Sequence, residues 1–289
     1  MRKLSSIHAH TIFCDGKDNA ETMCRAAYEK SLYAIGFSSH MSIKKQTGII
    51  TGWQMSEDRL DEYKTEALAA KKRWLGKIEV FFGIELDYIK GLRSANDSDI
   101  KLMKFDYIIG SVHYLMPVNG AQAFTVDGSL QEFEQGLSAG FNGDGEALMN
   151  YYYDMLLEMI MSGGFDILGH ADLVKKNTQQ KKYWNAENEK IRQKEIAVAA
   201  AKTGIIIEVN TGGINRGKLS ETYPSLSFLR FFREEDVPVI ITADAHEAAH
   251  LDGHYDTAIQ TIMDAGYSNY ILPERKNDNT INWVKENII

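Results

Sequence analysis

The chain has 289 residues, and 32 lysines and arginines stand against 40 aspartates and glutamates, which gives a formal net charge of −8. This acidic balance argues against a protein that binds nucleic acid through a broad cationic surface. Two cysteines, Cys14 and Cys24, are too few for a disulfide scaffold. The longest apolar run, residues 151–161, is too short to span a bilayer. We therefore expect a cytoplasmic protein that does not act at a membrane.

Short apolar runs alternate with helical patterns along the chain. The runs predict seven strands, over residues 4–7, 33–37, 78–86, 105–112, 165–168, 204–209 and 238–242. The intervening patterns predict helices over residues 20–31, 57–75, 146–162, 187–202, 225–235 and 255–265. This alternation indicates an α/β protein with a mostly parallel sheet. Seven units fit a closed or nearly closed barrel, and a doubly wound open sheet is the alternative.

Two segments depart from the alternation. Residues 116–145 are polar and rich in glycine, and a loop of that length in a compact domain is usually functional, so we expect a lid-like insertion there. From about residue 268 the sequence predicts an appended tail, with a strand at 270–271 and a helix over 281–288. No internal repeat or linker marks a second domain, so residues 1–289 are predicted to form one domain.

The histidines follow the predicted strands. Five of the eight come just after the carboxyl end of a strand, namely His10, His40, His113, His170 and His246. Glu85 and Asp244 occupy the same relative place on the third and seventh strands. In a parallel barrel these ends meet at one rim, where active sites form. Imidazole and carboxylate ligands together favour zinc, iron or manganese over magnesium or calcium.

Single members of this pattern have simpler interpretations. His8 and His10 lie on one side of an extended segment because side chains alternate along a strand, and an ordinary surface pair is the alternative. Asp244 and His246 repeat that spacing at the end of the last strand. Glu85 is an acid within an apolar strand, where an unpaired charge would be costly and a bound cation would remove the difficulty.

One motif points to different chemistry. The segment from His246 to His250 matches the H-E-x-x-H pattern of zinc proteases. That chemistry requires both histidines on one face of a continuous helix, but the strand over 238–242 ends just before His246 and leaves little room for a helix. The extended pattern also requires a third histidine where Asp256 stands. The protease interpretation is therefore disfavoured.

Six short motifs together resemble a known family. They are His8-Ala9-His10-Thr11, Phe13-Cys14-Asp15-Gly16, Gly83-Ile84-Glu85, Gly110-Ser111-Val112-His113, Gly169-His170-Ala171-Asp172 and Asp244-Ala245-His246. In order and spacing they resemble the polymerase and histidinol phosphatase (PHP) superfamily, and within it the histidinol-phosphate phosphatases. The resemblance implies a single distorted (β/α)7 TIM-like barrel with three divalent metal ions at its C-terminal rim. Zinc is the expected ion, with iron and manganese as alternatives.

The resemblance also implies how the ligands divide among the ions. One ion would take His8, His10, Glu85 and Asp244, a second would take His113 and His170 and share Glu85, and a third would take Asp15, His40 and His246. Some family members carry a histidine where Asp15 stands, so the third site is expected to differ in affinity or preferred metal. From spacing alone, Asp15 before Gly16 predicts only a turn.

The implied reaction is hydrolysis of L-histidinol phosphate in histidine biosynthesis. Metal ions about 3.5–4 Å apart lower the pKa of a bridging water, so we expect a metal-bound hydroxide as nucleophile and no covalent phosphoenzyme. Glu85 and Asp244 are the expected catalytic residues, and Asp244 or a metal-bound water is a candidate for protonating the departing alkoxide. Arg216, after the sixth strand, is the candidate for binding the phosphoryl group, with an exposed surface arginine as the alternative.

Further charged residues near these motifs are weaker candidates. Lys175 and Lys176 could approach phosphate, although a solvated lysine pair is the simpler interpretation. Asp127, Glu132 and Glu134, all within the insertion, are candidates for contact with the cationic amine of histidinol.

Two other functions stay open at this stage. The same metal site could act on another phosphorylated substrate, such as a nucleotide, a phosphotyrosyl peptide or a nucleic-acid end, and the acidic charge weighs against the last. A non-catalytic PHP module is the other alternative, but none of the nine ligand positions is missing. We expect a small phosphorylated substrate and no nucleic-acid or membrane partner, and the oligomeric state is left open.

Overall fold

The structure, a computed structural model, describes residues 2–44, 47–49, 51–178, 181–278 and 280–288. Its strands follow one another along the chain, most of them separated by helices. They are β1 (Ser5–Ser6), β2 (Ala34–Phe37), β3 (Glu79–Asp87), β4 (Tyr107–Ser111), β5 (Tyr114–Leu115), β6 (Phe124–Thr125), β7 (Ile167–Leu168), β8 (Ile206–Asn210), β9 (Val239–Thr242), β10 (Asn269–Arg275) and β11 (Ile281–Asn287). All seven strands predicted for the sheet are present, with ends shifted by a few residues.

The helices lie mainly between successive strands of the sheet. They are α1 (Ala20–Glu29), α2 (Leu60–Arg73), α3 (Ser98–Met103), α4 (Leu130–Phe141), α5 (Gly145–Ser162), α6 (Ala186–Thr203), α7 (Gly212–Asn215), α8 (Leu226–Glu234) and α9 (Tyr255–Asp264). The six predicted helices are confirmed, and α3, α4 and α7 are additional. Asn19, Asp144 and Asn185 each accept a hydrogen bond from a first-turn amide, which stabilises the helix start. No helix within the described ranges is long and apolar enough to cross a membrane.

The seven-stranded sheet is parallel throughout, and its two edges meet to form a nearly closed barrel. Its strand order is β1-β2-β3-β4-β7-β8-β9. An isolated bridge between Ala9 and Ala245 joins the chain beyond β1 to the chain beyond β9. In this bridge the His10 amide donates to the Ala245 carbonyl at 2.8 Å, and the Ala245 amide donates to the His8 carbonyl at 3.0 Å. The predicted α/β barrel is therefore confirmed, and the alternative of an open doubly wound sheet is wrong.

The barrel separates an inner core from an outer one. The inner cluster consists of Ile7, Ala34, Phe81, Tyr107, Ile109, Ile167, Ile206, Ile240 and Ile271. Along β3, Phe81 belongs to this cluster, whereas Phe82 and Ile84 belong to the core beneath the helices. Because side chains alternate along a strand, Glu85 lies on the same face as Phe81, nearer the carboxyl end. The barrel interior is thus apolar at one end and carries a buried carboxylate at the other.

The C-terminal tail is a β-hairpin, so the predicted helix over 281–288 is wrong. β10 and β11 pair antiparallel from Asn269 and Asn287 to Arg275 and Ile281. Ile281 and Trp283, two positions apart on β11, pack against the inner cluster, of which Ile271 on β10 is a member. Contact through alternate residues suits a strand, and the hairpin covers the apolar end of the barrel, opposite Glu85.

The insertion at 116–145 has regular structure. Its strand β6 pairs antiparallel with β5, which lies just before the insertion, and α4 follows β6. The Ser129 hydroxyl accepts the Glu132 amide and the Glu132 carboxylate accepts the Ser129 amide, a reciprocal arrangement that stabilises the start of α4. Closure of this segment over a substrate stays a prediction.

The hairpin offers a test of how the barrel interior is covered. Ile271→Ala should lower the free energy of unfolding by about 2–5 kcal/mol, because it leaves a cavity in the inner cluster. Leu75→Ala is the control, since Leu75 is 78% exposed, and we expect it to change stability by less than about 0.5 kcal/mol. Urea unfolding measures both variants. Equal losses in the two would contradict the assigned role of the hairpin.

Candidate metal centre

The Glu85 carboxylate lies at the centre of a buried histidine cluster. One of its oxygens, Oε2, lies 3.3 Å from Nε2 of His8 and 3.5 Å from Nε2 of His10. The same oxygen lies 2.9 Å from Nδ1 of His40. All four side chains are buried, so three imidazoles and one carboxylate oxygen converge away from solvent.

The other oxygen of Glu85 faces a second set of histidines. Oε1 lies 2.9 Å from Nε2 of His170 and 3.5 Å from Nε2 of His113. It also accepts a hydrogen bond from the Ser111 hydroxyl at 2.7 Å, which orients the carboxylate. Each oxygen of Glu85 therefore has its own set of imidazoles, an arrangement that allows one carboxylate to bridge two cations.

Asp244 extends the cluster from the last strand of the barrel. Its Oδ1 lies 3.1 Å from Nε2 of His10 and 3.6 Å from Nε2 of His8. Its Oδ2 accepts a hydrogen bond from Nη2 of Arg216 at 2.9 Å. The bridge that closes the barrel brings Asp244 to these histidines, because Ala9 and Ala245 are their immediate neighbours in the chain.

Asp15 lies at the outer edge of the cluster. Its Oδ2 lies 3.2 Å from Nε2 of His246, and its Oδ1 lies 3.8 Å from Nε2 of His40 and 3.9 Å from Nδ1 of His10. Asp15 is exposed and His246 is only partly buried, so this end of the cluster is the more accessible one.

All nine predicted ligands belong to groups whose ligand atoms lie within 4.8 Å of one another. The groups are His10, Asp15, His40 and His246; His8, Glu85 and His170; His8, His10 and Asp244; and His40, Glu85 and His113. The first group contains the complete set expected for one ion, Asp15, His40 and His246. The third group contains three of the four ligands expected for another ion. The expected set of Glu85, His113 and His170 is divided, however, with Glu85 present in both parts. The division of ligands among ions stays a prediction.

Several atoms at the centre have no hydrogen-bond partner among the residues that the structure describes. They are Nε2 of His8, Nε2 of His10, Nδ1 of His40 and Oε2 of Glu85, and each is buried. Leaving buried polar atoms unpaired is costly, and native structures rarely do so without a reason. Because these atoms are imidazole nitrogens and a carboxylate oxygen converging on one region, divalent cations fit them.

Two carboxylates outside the nine orient the histidines. Glu208 lies 2.7 Å from Nδ1 of His8, and Asp87 lies 2.8 Å from Nδ1 of His113. A carboxylate at Nδ1 holds the ring proton there and leaves Nε2 free to bind a metal. Neither role was predicted from the sequence. Glu208 is an acid within the apolar strand β8, the same signal that drew attention to Glu85.

The charges of the cluster shift the pKa values of its members. Burial raises the pKa of Glu85, but His40 and His8 lower it more, and the pKa lies well below its usual range. Burial and the neighbouring His246 and His40 lower the pKa of His10 to about 3. Glu85 is therefore ionised and His10 neutral at neutral pH, the states in which both groups bind metals.

A cleft of about 1000 Å³ opens above the cluster. The insertion supplies much of one wall, and its lining includes Trp53, Tyr114, Phe124, Asp127, Lys176 and Arg216. Burial raises the pKa of Asp127, but His113 and Lys176 lower it more, so Asp127 is ionised. Lys175 is buried instead, where its ammonium donates to the Thr222 carbonyl at 2.8 Å.

The H-E-x-x-H segment does not form a protease helix. Ala248–His250 is a single 3-10 turn, and Glu247 pairs with Lys17 at 3.0 Å rather than facing the cluster. His250 lies beside Glu247, at 3.3 Å. The two histidines of the motif therefore do not share a helix face, and the protease interpretation is wrong.

The sequence of the barrel also matches a family model. The model described as "PHP domain" matches residues 6–212, which is more than half of the chain. The chain belongs to the PHP domain family. The matched region contains seven of the nine predicted ligands, and Asp244 and His246 lie beyond it.

Curated PHP relatives are similar over most of their length. A Deinococcus radiodurans protein named "Probable histidinol-phosphatase" is 27% identical over 277 residues, covering 96% of this chain and 99% of that protein. The Bacillus subtilis protein named "Histidinol-phosphatase" is 24% identical over 268 residues, covering 88% of this chain and 97% of that protein.

Solved structures share the fold. A crystal structure from Listeria monocytogenes has a TM-score of 0.76 at 20% identity and covers 88% of this chain and 99% of that one. Histidinol phosphate phosphatase from Lactococcus lactis, complexed with zinc, L-histidinol and phosphate, has a TM-score of 0.71 at 20% identity. That likeness covers 97% of this chain and 99% of the Lactococcus chain, so the barrel is common to both.

Glu208 offers a test of the outer carboxylates. Glu208→Gln should weaken metal binding by about tenfold to a hundredfold, because the ring of His8 loses its charged hydrogen-bond partner. Competition with a coloured chelator measures the affinity for zinc. Glu234→Gln removes an exposed carboxylate on α8 and should leave the affinity unchanged. Equal zinc affinities in the two variants would refute the orienting role.

Proposed function

We propose that this PHP protein is a metal-dependent phosphomonoesterase that hydrolyses L-histidinol phosphate to L-histidinol and phosphate. The observation that carries the proposal is the buried Glu85 carboxylate, which lies within 3.5 Å of five imidazoles beneath an open cleft. The curated relatives named histidinol-phosphatase support the substrate. The proposal includes a place in histidine biosynthesis and a cytoplasmic location.

The nine clustered side chains are proposed to hold three divalent ions. Zinc is the expected ion, supported by the mixed imidazole and carboxylate donors and by the zinc in the Lactococcus lactis structure, with iron and manganese as alternatives. When bound, such ions lower the pKa of water and neutralise phosphoryl oxygens, the two requirements of phosphate ester hydrolysis.

The side chains around the ions have separate tasks in this proposal. Glu85 belongs to two of the ligand groups and would bridge their ions. Ser111 keeps Glu85 in its orientation, Glu208 does so for His8, and Asp87 for His113. A residue held in this way needs no rearrangement when the substrate arrives, which is the basis of electrostatic preorganisation.

Arg216 and Asp244 are proposed to act on the substrate itself. Burial lowers the pKa of Arg216, but Asp244 raises it more, so the guanidinium stays charged beside the cleft and can bind phosphoryl oxygens. Burial raises the pKa of Asp244, but Arg216 and His8 lower it more. Asp244, whose Oδ2 accepts a hydrogen bond from Arg216, is the candidate for passing a proton to the departing alkoxide.

A substrate panel tests the proposed function. Purified protein with measured metal content is incubated with L-histidinol phosphate, nucleoside monophosphates and phosphotyrosine, and phosphate release is followed. We expect kcat/KM to be highest for L-histidinol phosphate, and we expect a chelator to abolish activity and added zinc or manganese to restore it. A much higher kcat/KM for a nucleotide would overturn the pathway assignment.

Glu85→Gln tests whether one carboxylate is shared. The variant should lose metal from both groups that contain Glu85, together with nearly all turnover, because an amide oxygen is a weaker ligand. Elemental analysis and phosphate release measure the two effects. Glu79→Gln, at the other end of the same strand, should retain both. Full metal content in Glu85→Gln would contradict the bridging role.

Arg216→Ala tests binding of the phosphoryl group. Loss of a charged hydrogen-bond donor should raise KM by about tenfold or more. Because Arg216 also bonds to Asp244, metal content is measured in parallel, and the KM effect counts only where the metals are retained. Arg73→Ala, at a side chain 62% exposed on α2, is the control. An unchanged KM would exclude Arg216 from phosphate binding.

A further inference from the structure

Asp127, Glu132 and Glu134 are the acids of the insertion predicted as candidates for contact with a substrate amine. Their hydrogen bonds show which of them is available for that contact. The Glu132 carboxylate is occupied at the start of α4, where it accepts the Ser129 amide at 2.7 Å and the Ser129 hydroxyl at 2.9 Å. Glu134 accepts a hydrogen bond from the Tyr183 hydroxyl at 2.9 Å. Asp127 and Glu132 line the cleft, and of these two Asp127 is the one that does not cap a helix.

The backbone around Asp127 is tied to the metal centre. The amide of Val126 donates to the carbonyl of His113, a predicted ligand, at 2.9 Å. The side chain of Asn177 donates to the carbonyls of Val126 and Gly128 at 3.1 and 3.2 Å, and Lys176 donates to the carbonyl of Asp127. These bonds hold the backbone on both sides of Asp127, which lines the cleft above the cluster.

The Asp127 carboxylate has capacity for another cation. It forms an ion pair with Nζ of Lys176 at 3.5 Å, and its side chain is 30% exposed. Among the described residues that line the cleft, the other carboxylates belong to the candidate ligands Asp15, Glu85 and Asp244 or to the cap at Glu132. An ammonium group that enters the cleft therefore finds one carboxylate that neither the metals nor a helix terminus engages.

We propose that Asp127 binds the ammonium group of the substrate's alcohol portion and thereby selects amino-alcohol phosphates. This inference rests on the proposed function. In histidinol phosphate the carbon that carries the ammonium group is next to the carbon that carries the ester oxygen, so an acceptor close to the metal ions is required. Asp127 is a candidate for that acceptor, because it lines the same cleft as the candidate ligands His113 and His170. A charge-assisted hydrogen bond of this kind is stronger than a neutral one.

The test compares two substrates that differ only in the ammonium group. They are L-histidinol phosphate and its analogue in which hydrogen replaces that group. Asp127→Asn should lower kcat/KM for histidinol phosphate by about tenfold or more, and it should leave kcat/KM for the analogue unchanged within about twofold. Activity on the analogue and on para-nitrophenyl phosphate shows that the variant is folded and loaded with metal.

Glu134→Gln is the matched control. It removes the same charge from the same insertion at a carboxylate bonded to Tyr183, and it should leave kcat/KM for both substrates unchanged. Asp127→Glu, which keeps the charge, should lose less activity on histidinol phosphate than Asp127→Asn loses.

The outcomes separate the inference from the proposed function. Equal losses on both substrates, or no loss on either, would overturn the role of Asp127 while leaving the phosphatase in place. Wild-type protein that cleaves para-nitrophenyl phosphate but not histidinol phosphate would overturn the proposed function, and the role of Asp127 with it.

Discussion

The architecture of the centre depends on one buried carboxylate surrounded by imidazole rings. Glu85 has its two oxygens directed at different sets of histidines, and several of these atoms find no hydrogen-bond partner within the described part of the chain. Such a cluster is stable only if positive charge is placed among the lone pairs, whether as protons or as metal ions. Glu208 and Asp87 fix ring protons on the far sides of His8 and His113 and so favour metal ions.

Much of this arrangement could be predicted from the sequence. Parallel strands bring their carboxyl ends to one rim, so residues that follow the strands, such as His113 and His170, come together although they are distant in the chain. The structure places the nine predicted ligands in one cluster. Their roles as metal ligands stay a prediction. The barrel itself was predictable because short β-branched runs alternate with amphipathic segments.

Other features depend on contacts that no local pattern encodes. β11 contains Lys285 and Glu286, polar residues that suit a helix as well as a strand, and its pairing with β10 decides between them. The glycines of the insertion suggested a loop, yet Gly136 lies within α4 where the Phe124 ring leaves no space for a side chain. Glu208 stands out in the sequence as an acid within an apolar strand, but its partner His8 is 200 residues away and no local pattern identifies it.

The bridge between Ala9 and Ala245 has a consequence for how the protein acquires its ions. During synthesis His8 and His10 leave the ribosome long before Asp244 and His246 exist, so a nascent chain cannot assemble the full constellation. If the proposed ions bind, full occupancy of the site therefore requires the completed polypeptide. A translation product that ends before β9 would lack both the strand that completes the barrel and two of the nine candidate ligands.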